Sequence, residues 1–425
     1  MKHREKPNLE KKIVFWSSLG HFSNHVGNYL TPALLIYMQT DIALSQTQRG
    51  FLGSIPMIIL IFLSTLIGYL GDKKPLWSKH IIWGGILGIG LFGFLMSIAN
   101  SFTQLMLATV VLGFSLSTYH PLAFNFINKL KKNKDRNMGI LSVSGNFGTA
   151  ITPLAAMIFV VLTSDWRTAF VLFSIMQILI GISFAIQFPN DQETQDELNN
   201  NNNITNNSEI PFSNNQITIL LGLIVLVSVF RAPVFRCISY FTTIIFSDAF
   251  NFDKIESSVF SAIILAVGAS ATFIAGMLNN RKTKKETTRS DRVSFRSNTM
   301  LLSCGVSALF LVLLALIPVS ESFTIFLTYL TLTFFYFLGA AIIPTIISEF
   351  ALQGVSSIYG VMFSGATIAG AIAPTIFGIL ADNYGFEASF LFLGAVAFIC
   401  FFFIVLFVLT FRSYTKAISP KNLSL

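Results

Sequence analysis

Four polar side chains interrupt the first long apolar run of the sequence, in the stretch HFSNHVGN. They are His21, Asn24, His25 and Asn28. On a helix that turns about 100° per residue, all four fall within an arc of roughly 100° and form a polar stripe. Imidazole titrates near neutral pH, and imidazole and amide groups both hydrogen-bond polar solutes. The stripe therefore favours the lining of a polar cavity; hydrogen bonds between helices, worth about 0.6 kcal/mol each, are the alternative.

Two further polar residues interrupt later apolar runs. His120 precedes Pro121, whose missing N–H frees a backbone carbonyl. Arg231 lies in the stretch FRAPVFRC, and a guanidinium near the middle of a hydrocarbon layer costs about 2.5 to 3.5 kcal/mol. Because arginine cannot lose its proton, it must find an anion, carbonyl groups or water. We expect Arg231 to attract an anionic solute such as a carboxylate, phosphate or phosphonate; an internal charge pair is the alternative.

The 425 residues are 53% hydrophobic and only 11% charged, with a mean hydropathy of +0.69. Apolar runs of about 20 residues recur along the chain, and this length lets a helix cross a hydrocarbon layer of about 30 Å. The runs are continuous rather than alternating, which favours helices over a β-barrel. We therefore predict an all-α membrane protein with twelve transmembrane helices. The predicted spans are 13–37, 48–71, 80–98, 103–129, 138–162, 168–188, 216–245, 257–279, 298–318, 322–347, 356–381 and 386–411.

Most of the 28 Lys and Arg residues lie before the first span and after spans two, four, eight and twelve. Arg49, Arg167 and Lys254 lie in loops on the other side. This distribution follows the positive-inside rule, and it predicts a multi-pass protein of the cell membrane with both termini in the cytoplasm. It also accounts for the net charge of +8 better than nucleic-acid binding does. We therefore expect the lipid bilayer, and no nucleic acid, as a partner.

A segment rich in asparagine and acidic residues, 189–215, separates spans six and seven. Its few apolar side chains cannot form a core, which predicts a disordered cytoplasmic linker. The linker divides the chain into an N-terminal half, 1–188, and a C-terminal half, 216–425, with six spans each. GILSVSGNFGTAITP in the first half and GVMFSGATIAGAIAP in the second both begin with glycine and end with proline. Two parallel six-helix repeats are the layout of one class of secondary transporter.

A motif follows the second span, formed by Gly68, Leu70, Gly71, Asp72 and Lys73. With this motif and the repeated halves, the chain resembles the major facilitator superfamily over nearly its whole length. It departs from the family pattern at 75–77, where PLW replaces the closing glycine and basic residues. Within the superfamily, GHFSNH, YHPLAFNFI, SGNFGTAITP and the arginine in span seven are most similar to the fosmidomycin resistance group of efflux proteins.

The resemblance implies roles for several residues. Gly145, Gly148 and Pro153 resemble the helix-bend motif of antiporters. Asp72 is implied to act in a gate, by meeting a helix N-terminus or a basic side chain when the cytoplasmic side closes; a solvated loop carboxylate is the alternative. The resemblance also implies an acid at the position that His25 occupies. If protons drive this protein, then the central groups that titrate near neutral pH are His21, His25 and His120.

Enzyme chemistry finds no support in the sequence. No ATP-binding loop, zinc-binding helix motif or serine elbow occurs, and the three cysteines, Cys237, Cys304 and Cys400, are too scattered for a disulfide framework or a metal site. We expect no enzymatic activity, no cofactor and no metal, and a monomer. We predict a secondary active transporter for a small, anionic solute, working by alternating access and proton-coupled efflux. The alternatives are proton-coupled or facilitated uptake of an organic anion or nutrient, and a transport-dead sensor or a channel.

Overall fold

A computed structural model describes residues 7–128, 130, 134–189, 212–284, 288–340, 342–350 and 355–418. Every regular element among these residues is helical, which confirms the predicted all-α class. Most of the predicted linker, 189–215, lies outside the described residues, and so does the side chain of Asp72.

Seven helices precede the linker. They are α1 (Pro7–Met38), α2 (Gln46–Lys73), α3 (Ser78–Ser97), α4 (Phe102–Ser117), α5 (His120–Asn128), α6 (Lys134–Thr163) and α7 (Trp166–Gln187). After the linker come α8 (Asn214–Ile244), a π-helical turn (Ile245–Ala249), α9 (Lys254–Lys284), α10 (Arg289–Leu314), α11 (Ser322–Leu338), α12 (Ile342–Phe350) and α13 (Val355–Ile418). Helix α13 is broken at Gly385, whose φ of 84° lies in the left-handed region that glycine tolerates best.

Two predicted spans are each built from a pair of helices. Span four breaks before His120 into α4 and α5, and span ten breaks before Ile342 into α11 and α12. Pro121 lies in the first turn of α5 and Pro344 in the first turn of α12. Proline fits there because the N–H groups of a first turn have no partner within the helix. The fourth span of each half therefore carries the same interruption.

Ten helical stretches in the described part of the chain are long and apolar enough to cross a membrane. One of them, Ser364–Lys416, has 53 residues and includes the break at Gly385, so it covers the last two predicted spans. The first predicted span is missing from the ten because the polar stripe lowers the hydropathy of α1. With these two adjustments, the observed helices account for all twelve predicted spans.

The chain forms two compact units. Among the described residues, one unit contains those between 7 and 189 together with 252–262, and the other contains 212–251 and those between 263 and 418. In the first unit α1 packs against α6, and α3 against α7. In the second, α8 packs against the part of α13 that contains Gly370, and α10 against the part that contains Gly394. Each unit thus pairs its first span with its fifth and its third with its sixth, which is the repeat that the sequence predicted.

A charged cluster joins the loop after α1 to the start of α7. The Asp41 carboxylate accepts hydrogen bonds from the Arg167 guanidinium and, at 3.0 Å, from the Trp166 indole. Arg167 also donates to the side chain of Asn100 at 3.0 Å. The hydrogen bonds from Arg167 and Trp166 hold the pKa of Asp41 below its ordinary value. The other arginine predicted to lie in a loop, Arg49, is instead buried in the first turn of α2.

Close approach between α1 and α6 depends on Gly148. A Cβ atom at this position would lie 2.7 Å from the carbonyl oxygen of Phe22, a distance that real side chains do not reach. Gly139 lies on the same helix with no neighbouring atom within 4 Å of a built Cβ. Replacing each glycine with alanine therefore distinguishes the cost of a clash with α1, which affects only Gly148, from the gain in helix propensity, which affects both.

We expect Asp41 to contribute stability that acid removes. Because the pKa of Asp41 is lower in the folded chain than in the unfolded chain, this contribution is present above the ordinary pKa of about 3.9 and is lost as the pH falls through the folded value. In purified protein, Asp41→Asn should melt at a lower temperature than the wild type at pH 7. The difference should shrink as the pH falls below about 4. A difference that stays constant down to pH 3 would contradict this assignment.

Gly148→Ala should destabilise the protein, by about 1–3 kcal/mol, because the added methyl group overlaps the α1 backbone. Gly139→Ala is the matched control and should be neutral or stabilising by up to about 1 kcal/mol, since alanine favours a helix. Thermal unfolding of both variants in the same detergent measures the difference. Equal melting temperatures for the two variants would show that α1 and α6 do not need this contact.

Candidate functional site

Three histidines meet in the first unit. His21 and His25 lie one turn apart on α1, and His120 is the first residue of α5. Their ring centroids are 4.6 Å apart for His21 and His25, 5.1 Å for His21 and His120, and 5.9 Å for His25 and His120. One ring nitrogen from each residue lies within 4.8 Å of the other two. The structure therefore brings together the three groups that the sequence predicted as a set.

Neighbouring groups hold these rings in place. His21 is 5% exposed, and its Nδ1 lies 2.6 Å from the carbonyl oxygen of Leu141. The Nδ1 of His25 lies 2.8 Å from the hydroxyl of Thr149. Tyr119 stacks on the His21 ring at 5.6 Å and donates its hydroxyl to the carbonyl of Ser17. Leu141, Thr149 and Tyr119 were not among the predicted site residues, although Thr149 belongs to the SGNFGTAITP motif and Tyr119 precedes His120.

The two asparagines of the stripe lie on the same face of α1. Asn24 is buried and donates a hydrogen bond of 3.4 Å to the carbonyl of Leu116 on α4. This contact between helices corresponds to the alternative interpretation of the stripe. Asn28 is half-buried. Contact of either asparagine with a solute stays a prediction.

The helix-bend motif lies on α6, facing the histidines. A Cβ atom at Gly145 would lie 2.6 Å from Cε1 of His21, so this glycine leaves room for the imidazole. Gly148 lets the α1 backbone approach, as described above. The hydroxyl of Thr152 donates to the carbonyl of Gly148 at 2.6 Å, and α6 continues through Pro153. The two glycines of the motif thus set how closely α6 approaches α1.

The motif after span two occupies the last turns of α2. A Cβ atom at Gly71 would overlap the Leu122 side chain, and one at Gly68 would lie 3.6 Å from Pro121, so both glycines face α5. The ammonium of Lys73 lies 5.9 Å from the centre of the Tyr69 ring. Leu70 accepts a hydrogen bond of 2.7 Å from the backbone N–H of Lys74, which ends the helix. A gate role for Asp72 stays a prediction.

Arg231 is buried in the second unit. Its guanidinium donates to the Ser303 hydroxyl at 3.1 Å and to the backbone carbonyl of Tyr336, and it stacks over the Tyr336 ring at 3.9 Å. The Tyr336 hydroxyl in turn donates to the carbonyl of Arg231. All these partners are uncharged. In the described part of the chain, no carboxylate lies within ion-pair distance of Arg231.

Two of the three cysteines are neighbours of this site. The sulfur atoms of Cys304 and Cys400 lie 3.5 Å apart, and both residues border a small cavity beside Arg231 and Tyr336. The sequence did not predict this contact, because the two cysteines lie 96 residues apart. Cys237 is buried elsewhere on α8. All three are free thiols in the protein interior.

A second group of arginines is paired with an acid. Glu349 on α12 contacts Arg292 at 2.8 Å, Arg296 at 2.6 Å and Arg289 at 3.7 Å, all on α10. From their place in the sequence, these arginines are predicted only to be part of a basic loop. Their spacing of three and four residues places them on one helix face, which was the available signal. In this network three arginines share one carboxylate, which offsets part of their positive charge.

Comparison with known proteins confirms the predicted resemblance. The family model of the Major Facilitator Superfamily matches residues 17–361. The hexuronate transporter of Bacillus subtilis (strain 168) is 25% identical over 402 residues, which cover 87% of this chain and 89% of that protein. The fosmidomycin resistance protein of Escherichia coli (strain K12) is 28% identical over 166 residues, and this match covers 38% of this chain and only 40% of that protein.

Two solved structures share the fold. A bacterial homolog to the human lysosomal transporter Spinster, in an inward-facing and unoccupied conformation, has a TM-score of 0.69 and 15% identity, over 97% of this chain and 98% of that chain. The nucleoside transporter NupG has a TM-score of 0.68 and 15% identity, over 94% of this chain and 100% of that chain. From the family match and the shared fold, we conclude that this chain is a membrane transporter, not an enzyme, and that it belongs to the Major Facilitator Superfamily.

Proposed function

We propose that this protein is a secondary active transporter that exports a small anionic solute across the cell membrane by alternating access, in exchange for protons. It works as a monomer with both termini in the cytoplasm. The proposal combines the superfamily membership with the chemistry of Arg231. Since the sequence contains no ATP-binding loop, the energy source is an ion gradient.

The proposal rests on the uncharged surroundings of Arg231. Its partners are the hydroxyl of Ser303 and the carbonyl and ring of Tyr336, so its positive charge is stabilised but not neutralised. By contrast, the arginines of α10 have a carboxylate, Glu349, as a direct partner. A permanent positive charge in a dry environment attracts an anion more strongly than the same charge in water. This difference favours an anionic substrate over the internal charge pair.

The names of two relatives support the same substrate class. One relative is a hexuronate transporter, and hexuronate is a sugar carboxylate. The other is a fosmidomycin resistance protein, and fosmidomycin is a phosphonate. Carboxylate and phosphonate oxygens both accept hydrogen bonds from a guanidinium in a forked geometry. An arginine-centred site therefore suits either substrate.

Uptake of an organic anion is the second candidate. The match to the hexuronate transporter extends over 87% of this chain, whereas the match to the resistance protein extends over 38%. A carrier that alternates access moves its solute in the direction that the ion and solute gradients dictate. The same anion site is compatible with either direction, so transport assays decide between them.

We expect Arg231→Gln to weaken transport of anions by about 10- to 100-fold, because a hydrogen bond to a charged group contributes about 1.5–3 kcal/mol. Arg231→Lys is the matched control: it keeps the charge but loses the forked geometry, and it should fall between the wild type and Arg231→Gln. The variants are expressed at matched membrane levels in a host without its own efflux pumps. Growth is then measured against anionic, neutral and cationic toxic compounds, including fosmidomycin.

Resistance that is confined to anions and lost in Arg231→Gln supports export. Increased sensitivity to an anion, lost in the same variant, supports uptake. In vesicles, a transport rate that follows an imposed pH gradient supports proton coupling. If Arg231→Gln reaches the membrane at the wild-type level and still transports every anionic substrate at the wild-type rate, the role of Arg231 is wrong.

A further inference from the structure

We propose that His21, His25 and His120 form a binding site for a divalent transition-metal ion, with Zn²⁺ as the best fit. Each residue offers one ring nitrogen, and the three nitrogen atoms lie within 4.8 Å of one another. In a tetrahedral zinc site with Zn–N bonds of about 2.0–2.1 Å, ligand nitrogen atoms lie about 3.4 Å apart. A bound ion therefore requires the nitrogen atoms to approach one another by up to about 1.4 Å, and two of the three rings, His25 and His120, are only half-buried.

The hydrogen bonds of two of the rings determine which ring nitrogen carries the proton. The carbonyl of Leu141 can only accept, so Nδ1 of His21 carries the proton and Nε2 carries the lone pair. The Thr149 hydroxyl donates to the carbonyl of Gly145 at 3.3 Å and therefore accepts from Nδ1 of His25. A metal-binding histidine commonly donates its other N–H to a carbonyl or another acceptor in this way. Both Nε2 atoms are thus prepared as metal ligands.

The third ring supplies an independent observation. Nδ1 of His120 is buried and has no hydrogen-bond partner. Buried polar atoms are rarely left in this state, because a group that has lost its water without gaining a hydrogen bond destabilises the fold. A metal ion bound at Nδ1 of His120 would give this atom a partner. The tautomers of His21 and His25 and the unpaired Nδ1 of His120 therefore support the same occupant.

The donor set selects the kind of ion. Imidazole nitrogen suits Zn²⁺, Co²⁺, Ni²⁺ and Cu²⁺, whereas Mg²⁺ and Ca²⁺ prefer oxygen. Three neutral histidines leave a fourth position for water or an anion, as in zinc sites that bind a further group. A bound ion adds a link between α1 and α5, which lie far apart in the sequence and already contact each other through these rings. Binding should therefore stabilise the folded protein.

The sequence groups the three histidines as titratable residues but gives no metal-binding motif. Metal motifs are recognised by short spacings, and His120 lies on a helix far along the chain from His21 and His25. A cluster of stacked aromatic rings without a metal is the alternative interpretation. The two differ in a measurable way, since aromatic packing gives no response to zinc. The inference goes beyond the proposed function, and its test involves no transport, so its failure leaves the proposal for Arg231 intact.

The experiment uses the full chain, purified in detergent with a histidine-free tag and treated with a chelator. Zn²⁺ should raise the melting temperature at a stoichiometry of one ion per chain, EDTA should reverse the effect, and Mg²⁺ should give none. Co²⁺ should produce the visible absorption bands of a tetrahedral nitrogen site. His25→Gln and His120→Gln should each remove the response at the same zinc concentration. The matched control is His80→Gln, because His80 is an exposed histidine outside the cluster and its loss should change nothing.

Thr149→Val tests the positioning of His25 without removing a ligand. The change should weaken zinc binding by about 10- to 100-fold, as the loss of such supporting groups does in metal sites. A purely structural role for Thr149 would instead lower the melting temperature of the metal-free protein and leave the zinc affinity unchanged. The proposal is overturned if the wild type shows no zinc response and no cobalt spectrum. It is equally overturned if the response persists in both His25→Gln and His120→Gln.

Discussion

The hydrocarbon layer offers no water to unpaired polar groups, and this constraint shapes every part of the protein. Backbone N–H and C=O groups must be satisfied within the chain, which explains why each described element is helical. At the two helix interruptions, Pro121 and Pro344 lie in first turns. Proline there removes no hydrogen bond within the helix, because first-turn N–H groups have no helical partner. Asn24 meets the same requirement by donating to the carbonyl of Leu116 on a neighbouring helix.

Charged side chains lose more than neutral ones when they are removed from water. The second unit stabilises its buried arginines in two different ways. The arginines of α10 share the carboxylate of Glu349, so attraction between opposite charges compensates for their partial burial. Among the described residues, Arg231 instead meets the hydroxyl of Ser303 and the backbone carbonyl and ring of Tyr336. This difference is the basis of our proposal that Arg231 binds an anionic solute.

Packing and chemistry are linked in the first unit through α6. Gly145 and Gly148 have no side chain, so α6 approaches α1 closely enough for Leu141 and Thr149 to reach the two imidazoles. A larger residue at Gly145 would occupy the space of His21 and displace the ring from its hydrogen bond. The glycines therefore affect the site by setting how closely α6 approaches α1. The hydrogen bonds that assign the histidine tautomers depend on this approach. The helix-bend motif of α6 thus also determines the hydrogen bonding of the imidazoles on α1.

The sequence by itself determined the helical class, the positions of the spans, the two repeats and the family, because apolar run length, charge placement and local motifs are properties of neighbouring residues. It also placed His21 and His25 on one face of α1, since a helical face follows from spacing alone. Only the tertiary structure decided that His120 joins them, that Tyr336 and Ser303 receive Arg231, and that Cys304 meets Cys400. These contacts unite residues from distant helices, and they depend on how side chains of particular shape pack together. No local pattern carries that information, which is why the partners of each predicted residue were unknown until the helices were assembled.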